Sequence, residues 1–279
     1  MKQFIFFVLI FIFAFKSYSQ TSCCAKKNAN ESFAILSKDK QFILSHIEPD
    51  FFQLVNKAGK DISFKTPNGK TAYAYEIKTA KNSDNYLFVF HEWWGLNDHV
   101  RGEAEKLFSA LGNINVVAID LYDKKVAMVR DSANKYMNEV KAENAEDIIM
   151  GALSYAGKKA NIASIGWCFG GSWSLQCAIL AGNQSKACVM YYGMPEEKSE
   201  KIKKLAAPVL FVFAELDKWI NKEVLNKFEN AMKQEKKELT VKSYDAVHGF
   251  ANPSNPKYAQ KFADEAFNYS VDFIRKNLK

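Results

Sequence analysis

The segment Ile165-Gly166-Trp167-Cys168-Phe169-Gly170-Gly171 constrains this chain more than any other. An apolar run at 162–165 leads into Gly-x-Cys-x-Gly-Gly, and residues 170–180 read as a helix. A strand that becomes a helix so abruptly strains the backbone of the residue at the corner. Side chains at positions 166 and 170 would collide with neighbouring backbone, which explains the glycines. Cys168 is therefore offered at a helix N-terminus. Free N–H groups and the positive dipole end there lower a thiol pKa and favour an oxyanion. The Phe169 N–H is placed as one oxyanion donor. This is a nucleophile elbow with cysteine in place of serine. The alternative is a buried structural cysteine in a glycine-rich turn.

Around this corner the pattern alternates. Strands are predicted at 62–66, 71–77, 86–90, 116–119, 162–165, 187–191, 209–213 and 239–243. Helices are predicted at 97–111, around 139–156, and at 170–180, 221–233 and 257–277. The run at 86–90 is short and apolar, as a strand buried on both faces is. Such alternation implies an α/β fold, a mostly parallel sheet with helices on both faces. The 279 residues, 48% hydrophobic, suit one large domain, assigned to 61–279. Residues 20–60 are only weakly periodic and read as an N-terminal extension, packed on the domain or partly mobile.

A cysteine nucleophile needs a base, and the base needs an orienting acid. In folds with such an elbow the chain order is nucleophile, acid, histidine. One histidine lies downstream of Cys168, namely His248, just after the last predicted strand. The acid is placed at Asp217, beyond the strand at 209–213, with Glu215 and Asp245 as rivals. The loop His91-Glu92-Trp93-Trp94-Gly95-Leu96-Asn97 follows the strand at 86–90. It offers the Trp93 N–H as second oxyanion donor, while Trp94 serves packing or substrate contact. A carboxylate at Glu92, facing the nucleophile turn, is awkward unless it has work.

The charge of +7 is scattered among acids, as in Lys198-Ser199-Glu200-Lys201, so nucleic-acid binding is not expected. Lys2, an apolar run at 4–15 and the small residues Ser17 and Ser19 resemble a cleavable signal peptide, 1–19. An uncleaved anchor is the alternative, although the run is short for a membrane span. Export to the periplasm or the medium is expected, with no membrane association after cleavage. Of five cysteines, Cys177 and Cys188 sit in apolar contexts as small hydrophobes, and Cys23 and Cys24 lie in a polar stretch. There is no CxxC pair and no Cys/His ligand spacing, so no metal site is expected.

Three segments together resemble the dienelactone hydrolase family of the α/β-hydrolase fold. They are His91-Glu92-Trp93-Trp94-Gly95-Leu96-Asn97, Gly166-Trp167-Cys168-Phe169-Gly170-Gly171 and His248-Gly249-Phe250-Ala251-Asn252-Pro253. The resemblance implies a triad of Cys168, His248 and Asp217. It implies that Glu92 holds the resting thiol, and that the N–H groups of Phe169 and Trp93 hold the oxyanion. It further implies an acyl-enzyme formed from a small ester or lactone, with no metal or organic cofactor. Family members bind the substrate carboxylate with arginines, one of them four residues after the histidine. That position is Asn252 here, and Arg130 is a second candidate for meeting an anion. A monomer is expected. A thiol peptidase and a non-catalytic exported binding protein on the same scaffold are the competing readings.

Overall fold

Among the described residues, eight strands form a single sheet in the order β1-β2-β4-β3-β5-β6-β7-β8. They are β1 (Lys60–Lys65), β2 (Thr71–Ile77), β3 (Asn85–Phe90), β4 (Asn115–Asp120), β5 (Asn161–Trp167), β6 (Ser185–Tyr191), β7 (Val209–Ala214) and β8 (Leu239–Tyr244). β2 runs antiparallel to β1 and β4, and every other pairing is parallel. The computed structural model describes residue 33 and residues 35–278. The signal-peptide expectation for 1–19, and Cys23 and Cys24, lie outside those residues. No helix among the described residues is long and apolar enough to cross a membrane.

The central strands form because their side chains have an apolar partner on either face. Every residue of β4 and β7 is buried, so they read as unbroken apolar runs rather than as alternation. The helices are α1 (Lys40–Ser45), α2 (Asp98–Leu111), α3 (Arg130–Glu139), α4 (Ala142–Ala156), α5 (Phe169–Ala181), α6 (Ser199–Ile202), α7 (Lys222–Gln234) and α8 (Gln260–Asn277). α2 and α8 touch each other, packing on β4 and on β6–β7. α4 and α5 form a second pair, packing on β1 and on β3, β5 and β6. α2 starts where Asn97 caps it, its side chain accepting from the Val100 N–H at 3.1 Å. In α5 every residue but Leu180 is buried, so that helix lacks an amphipathic stripe.

Three helices go beyond the sequence expectation, the four-residue α6 among them. α3 is mostly polar and buries only Ala133 and Met137, too little periodicity to read. α1 is one short turn-and-a-half that buries only Phe42. Tertiary contact holds it: Phe42 meets the rings of Trp219, His248 and Trp93 edge-on, at 5.2, 5.9 and 6.2 Å. The chain beyond α1 stays on the domain. The Leu54 N–H donates to Asp98 at 2.9 Å, and Phe52 stacks on His99 at 4.8 Å.

Candidate active site

In a parallel sheet, loops at the carboxyl ends of the strands converge on one edge, where ligands bind. Here Glu92 and Trp93 follow β3, Cys168 follows β5, Asp217 follows β7 and His248 follows β8. Cys168 takes φ 55° at the corner between β5 and α5, a strained value for a residue with a side chain. Close packing imposes the corner. A Cβ on Gly166 would lie 2.1 Å from the Gly170 carbonyl oxygen, and one on Gly170 2.3 Å from that of Phe90.

His248 Nε2 lies 3.1 Å from the Cys168 sulfur, and its Nδ1 lies 2.5 Å from Asp217 Oδ2. The other Asp217 oxygen accepts from the N–H groups of Trp219 and Ile220, at 2.9 and 3.0 Å. Burial works to raise the Asp217 pKa, but the His248 imidazole and these two N–H groups outweigh it and leave it lowered. Burial likewise works to lower the His248 pKa, and Asp217 and Cys168 more than reverse it. The rivals Glu215 and Asp245 are exposed. The thiol departs from the helix-terminus expectation. Burial pushes the Cys168 pKa up, and His248 opposes that only in part. The Phe169 N–H faces the Cys168 sulfur and helps to lower its pKa, the position from which an oxyanion donor acts.

Glu92 is half-buried beside this row and turns its carboxylate to Asn252. Its carboxylate accepts from the Asn252 side chain at 2.5 Å, while the sulfur faces two imidazoles. Burial pushes the Glu92 pKa from 4.5 up to about 7, against the pull of His248 and Asn252. A carboxyl that binds its proton more tightly in the folded chain stabilises the fold fully below its unfolded value. That contribution is lost as pH rises through about 7. Glu92→Gln keeps an acceptor for Asn252 and removes the ionisation. It is expected to leave stability nearly unchanged at pH 4 and to raise it by on the order of 1–3 kcal/mol at pH 8. Denaturant melts at the two pH values check this, and an equal effect at both refutes it.

The remaining expected residues divide. Asn252 is at the site, engaged with Glu92, and Trp94 lines the same small cavity with Glu92, Cys168 and His248. Arg130 is not brought there: it opens α3 and pairs with Glu48 of the N-terminal segment at 3.7 Å. His91 is structural, its Nε2 accepting from the Leu121 N–H at 3.1 Å. Cys177 and Cys188 are fully buried and free, as their contexts suggested. The residue that sequence reasoning missed is His46, at the end of α1. Its Nε2 lies 3.8 Å from the Cys168 sulfur, and its ring packs on Trp93 at 4.3 Å.

α1 thus caps the thiol. The cavity between His46, Cys168 and His248 measures ≈ 10 Å³, no more than one water needs. α1 therefore narrows the approach to the sulfur. Asp39 holds α1 down: one oxygen accepts from the Gln41 N–H at 2.7 Å, the other from the Trp219 indole at 3.0 Å. Losing such a cap costs about 0.5–2 kcal/mol. Asp39→Ala is expected to speed iodoacetamide alkylation of Cys168 by roughly 2–20-fold. Timed mass spectrometry of the intact chain measures it, and an unchanged rate would mean that α1 does not gate access.

The sheet order, with a strained strand-to-helix corner after β5 and an imidazole–carboxylate pair after β8 and β7, is that of an α/β-hydrolase. The chain belongs to the dienelactone hydrolase family, whose profile matches residues 71–278. It is a hydrolase of carboxylic esters or lactones. Over 234 residues it is 26% identical to "Protein usf" of Aquifex pyrophilus, covering 79% of this chain and 99% of that one. Over 160 residues it is 24% identical to a carboxymethylenebutenolidase of a Pseudomonas species, covering 56% of this chain and 66% of that one. A dienelactone hydrolase-like promiscuous phosphotriesterase from metagenomic libraries superposes with a TM-score of 0.66 at 20% identity. That match covers 79% of this chain and 99% of the other, and it supports the fold.

Proposed function

We propose that this protein cleaves small esters or lactones through a Cys168–His248–Asp217 triad and a thioester acyl-enzyme. The observation that carries the reading is the unbroken line of contacts, 3.1 Å from sulfur to imidazole and 2.5 Å from imidazole to carboxylate. Burial raises the Cys168 pKa, so the sulfur relies on the His248 imidazole to give up its proton. His248 Nε2 takes its proton as the sulfur attacks the substrate carbonyl. Asp217 holds the imidazole in the required tautomer and stabilises its charged form. The developing oxyanion lies between the N–H groups of Phe169 and Trp93. His248 then returns the proton to the leaving alkoxide or enolate. Water, deprotonated by the same nitrogen, releases the acid and restores the thiol.

Glu92 and Asn252 form the polar wall beside the sulfur, and Trp94 the apolar one. The leader-like stretch at 1–19 suggests that the mature enzyme works outside the cytoplasm. An activated aryl ester, quenched within the first turnovers, is expected to leave one acyl group on the peptide bearing Cys168, detected by mass spectrometry. Turnover without any such adduct, under conditions where release is rate-limiting, would refute the acyl-enzyme.

A further inference from the structure

Three basic atoms converge in front of α5: His46 Nε2, Cys168 Sγ and His248 Nε2, all within 4.8 Å of one another. His46 Nδ1 lies 2.7 Å from the Phe42 carbonyl oxygen, which only accepts, so Nδ1 carries the hydrogen and Nε2 is a bare lone pair. His248 Nδ1 is committed in the same way to Asp217. A proton can be shared along the contact between sulfur and His248 Nε2, while no hydrogen is committed between the sulfur and His46 Nε2. If it sits between sulfur and His248, the His46 lone pair faces the sulfur with nothing between them.

We propose that His46, Cys168 and His248 form a binding site for a divalent zinc-class ion that reversibly shuts off the hydrolase. Soft thiolate with two imidazoles is a donor set that suits Zn²⁺. Zinc bonds of about 2.0–2.3 Å set two tetrahedral ligand atoms roughly 3.3–3.7 Å apart. The observed sulfur–nitrogen separations of 3.8 and 3.1 Å straddle that range. Both imidazoles already have the outer partner that metal-bound histidines use, a backbone carbonyl for His46 and a carboxylate for His248. Water completes the fourth position. On binding, the S–H bond breaks, its proton leaves to buffer and the sulfur pair bonds to the ion. One proton is released per ion, with no change of oxidation state. The ion occupies the attacking sulfur and the base together, and it pins α1 over the site. That inhibitory consequence rests on Cys168 being the nucleophile; occupancy of the site does not.

The test uses the full chain with Cys23→Ser and Cys24→Ser, so that those thiols contribute no signal. Co²⁺ is the optical probe and Zn²⁺ the competitor. The expected result is one ion per chain, a thiolate-to-Co²⁺ charge-transfer band in the near ultraviolet, and loss of turnover with Zn²⁺ that a chelator restores. His46→Gln is expected to weaken Zn²⁺ binding at least about tenfold and to raise the half-inhibiting concentration in proportion. Cys168→Ala is expected to abolish the band. Zinc-edge X-ray absorption on the chain with His46 intact counts ligands without relying on any site variant: one sulfur and two imidazoles are expected. A single imidazole, equal Zn²⁺ affinity in His46→Gln, or turnover that rises with Zn²⁺ would each overturn the proposal. The spectrum reads the site without turnover, so its failure is distinguishable from failure of the thiol mechanism.

Discussion

Cys168→Ala is expected to lower turnover of a small aryl ester by at least about 10³-fold, the scale on which triad nucleophiles act. The change removes one atom and little else. Alanine keeps the Cβ, so the strained corner at φ 55° is retained, and the cavity left is that of a single sulfur. Thermal stability should therefore shift by no more than about 1 kcal/mol, which separates lost chemistry from lost fold. No other described thiol can substitute. Cys177 and Cys188 are wholly buried, and burial pushes both pKa values upward. Cys168→Ser is expected to fall between alanine and the parent chain. Its hydroxyl proton is far harder for His248 to remove, and the surrounding burial penalises an alkoxide more than a thiolate. An alanine variant that keeps a tenth of the parent turnover would remove Cys168 from the mechanism.

Much of this arrangement is legible in the residues themselves. The apolar run of β3 declares a strand covered on both faces, and Gly166 and Gly170 declare the corner. Asp217 was one of three acids by loop position, and burial separates it: Asp217 is beneath His248, while Glu215 and Asp245 face solvent. What the sequence hid is what depends on distance. His46 lies 122 positions from Cys168, in a stretch with almost no periodicity, and reaches the thiol because Phe42 is held among Trp93, Trp219 and His248. Metal-ligand spacing detects donors on neighbouring turns or hairpins and is blind to three donors from three remote loops. The thiol pKa failed for a related reason. The helix terminus is visible in the sequence, but the lid that desolvates the sulfur is not, and desolvation is the larger effect.

Asp217→Asn is expected to cost turnover on the order of 10³–10⁴-fold with little loss of substrate binding. Its oxygen can still accept from the N–H groups of Trp219 and Ile220, now at 2.9 and 3.0 Å, so the loop should keep its shape. The consequence falls on the other atom. An amide NH₂ replaces the carboxylate oxygen that lies 2.5 Å from His248 Nδ1, and a donor there requires Nδ1 to be the bare nitrogen. The imidazole hydrogen moves to Nε2, which then points a hydrogen at the Cys168 sulfur and cannot take the thiol proton. The stabilising charge for the imidazolium disappears as well. Above the thiol pKa the sulfur ionises without help, so the deficit should shrink as pH rises. A pH–rate profile of kcat/KM for parent and variant measures this. A deficit that stays constant from pH 6 to pH 10 would mean that Asp217 acts on the loop and not on the proton.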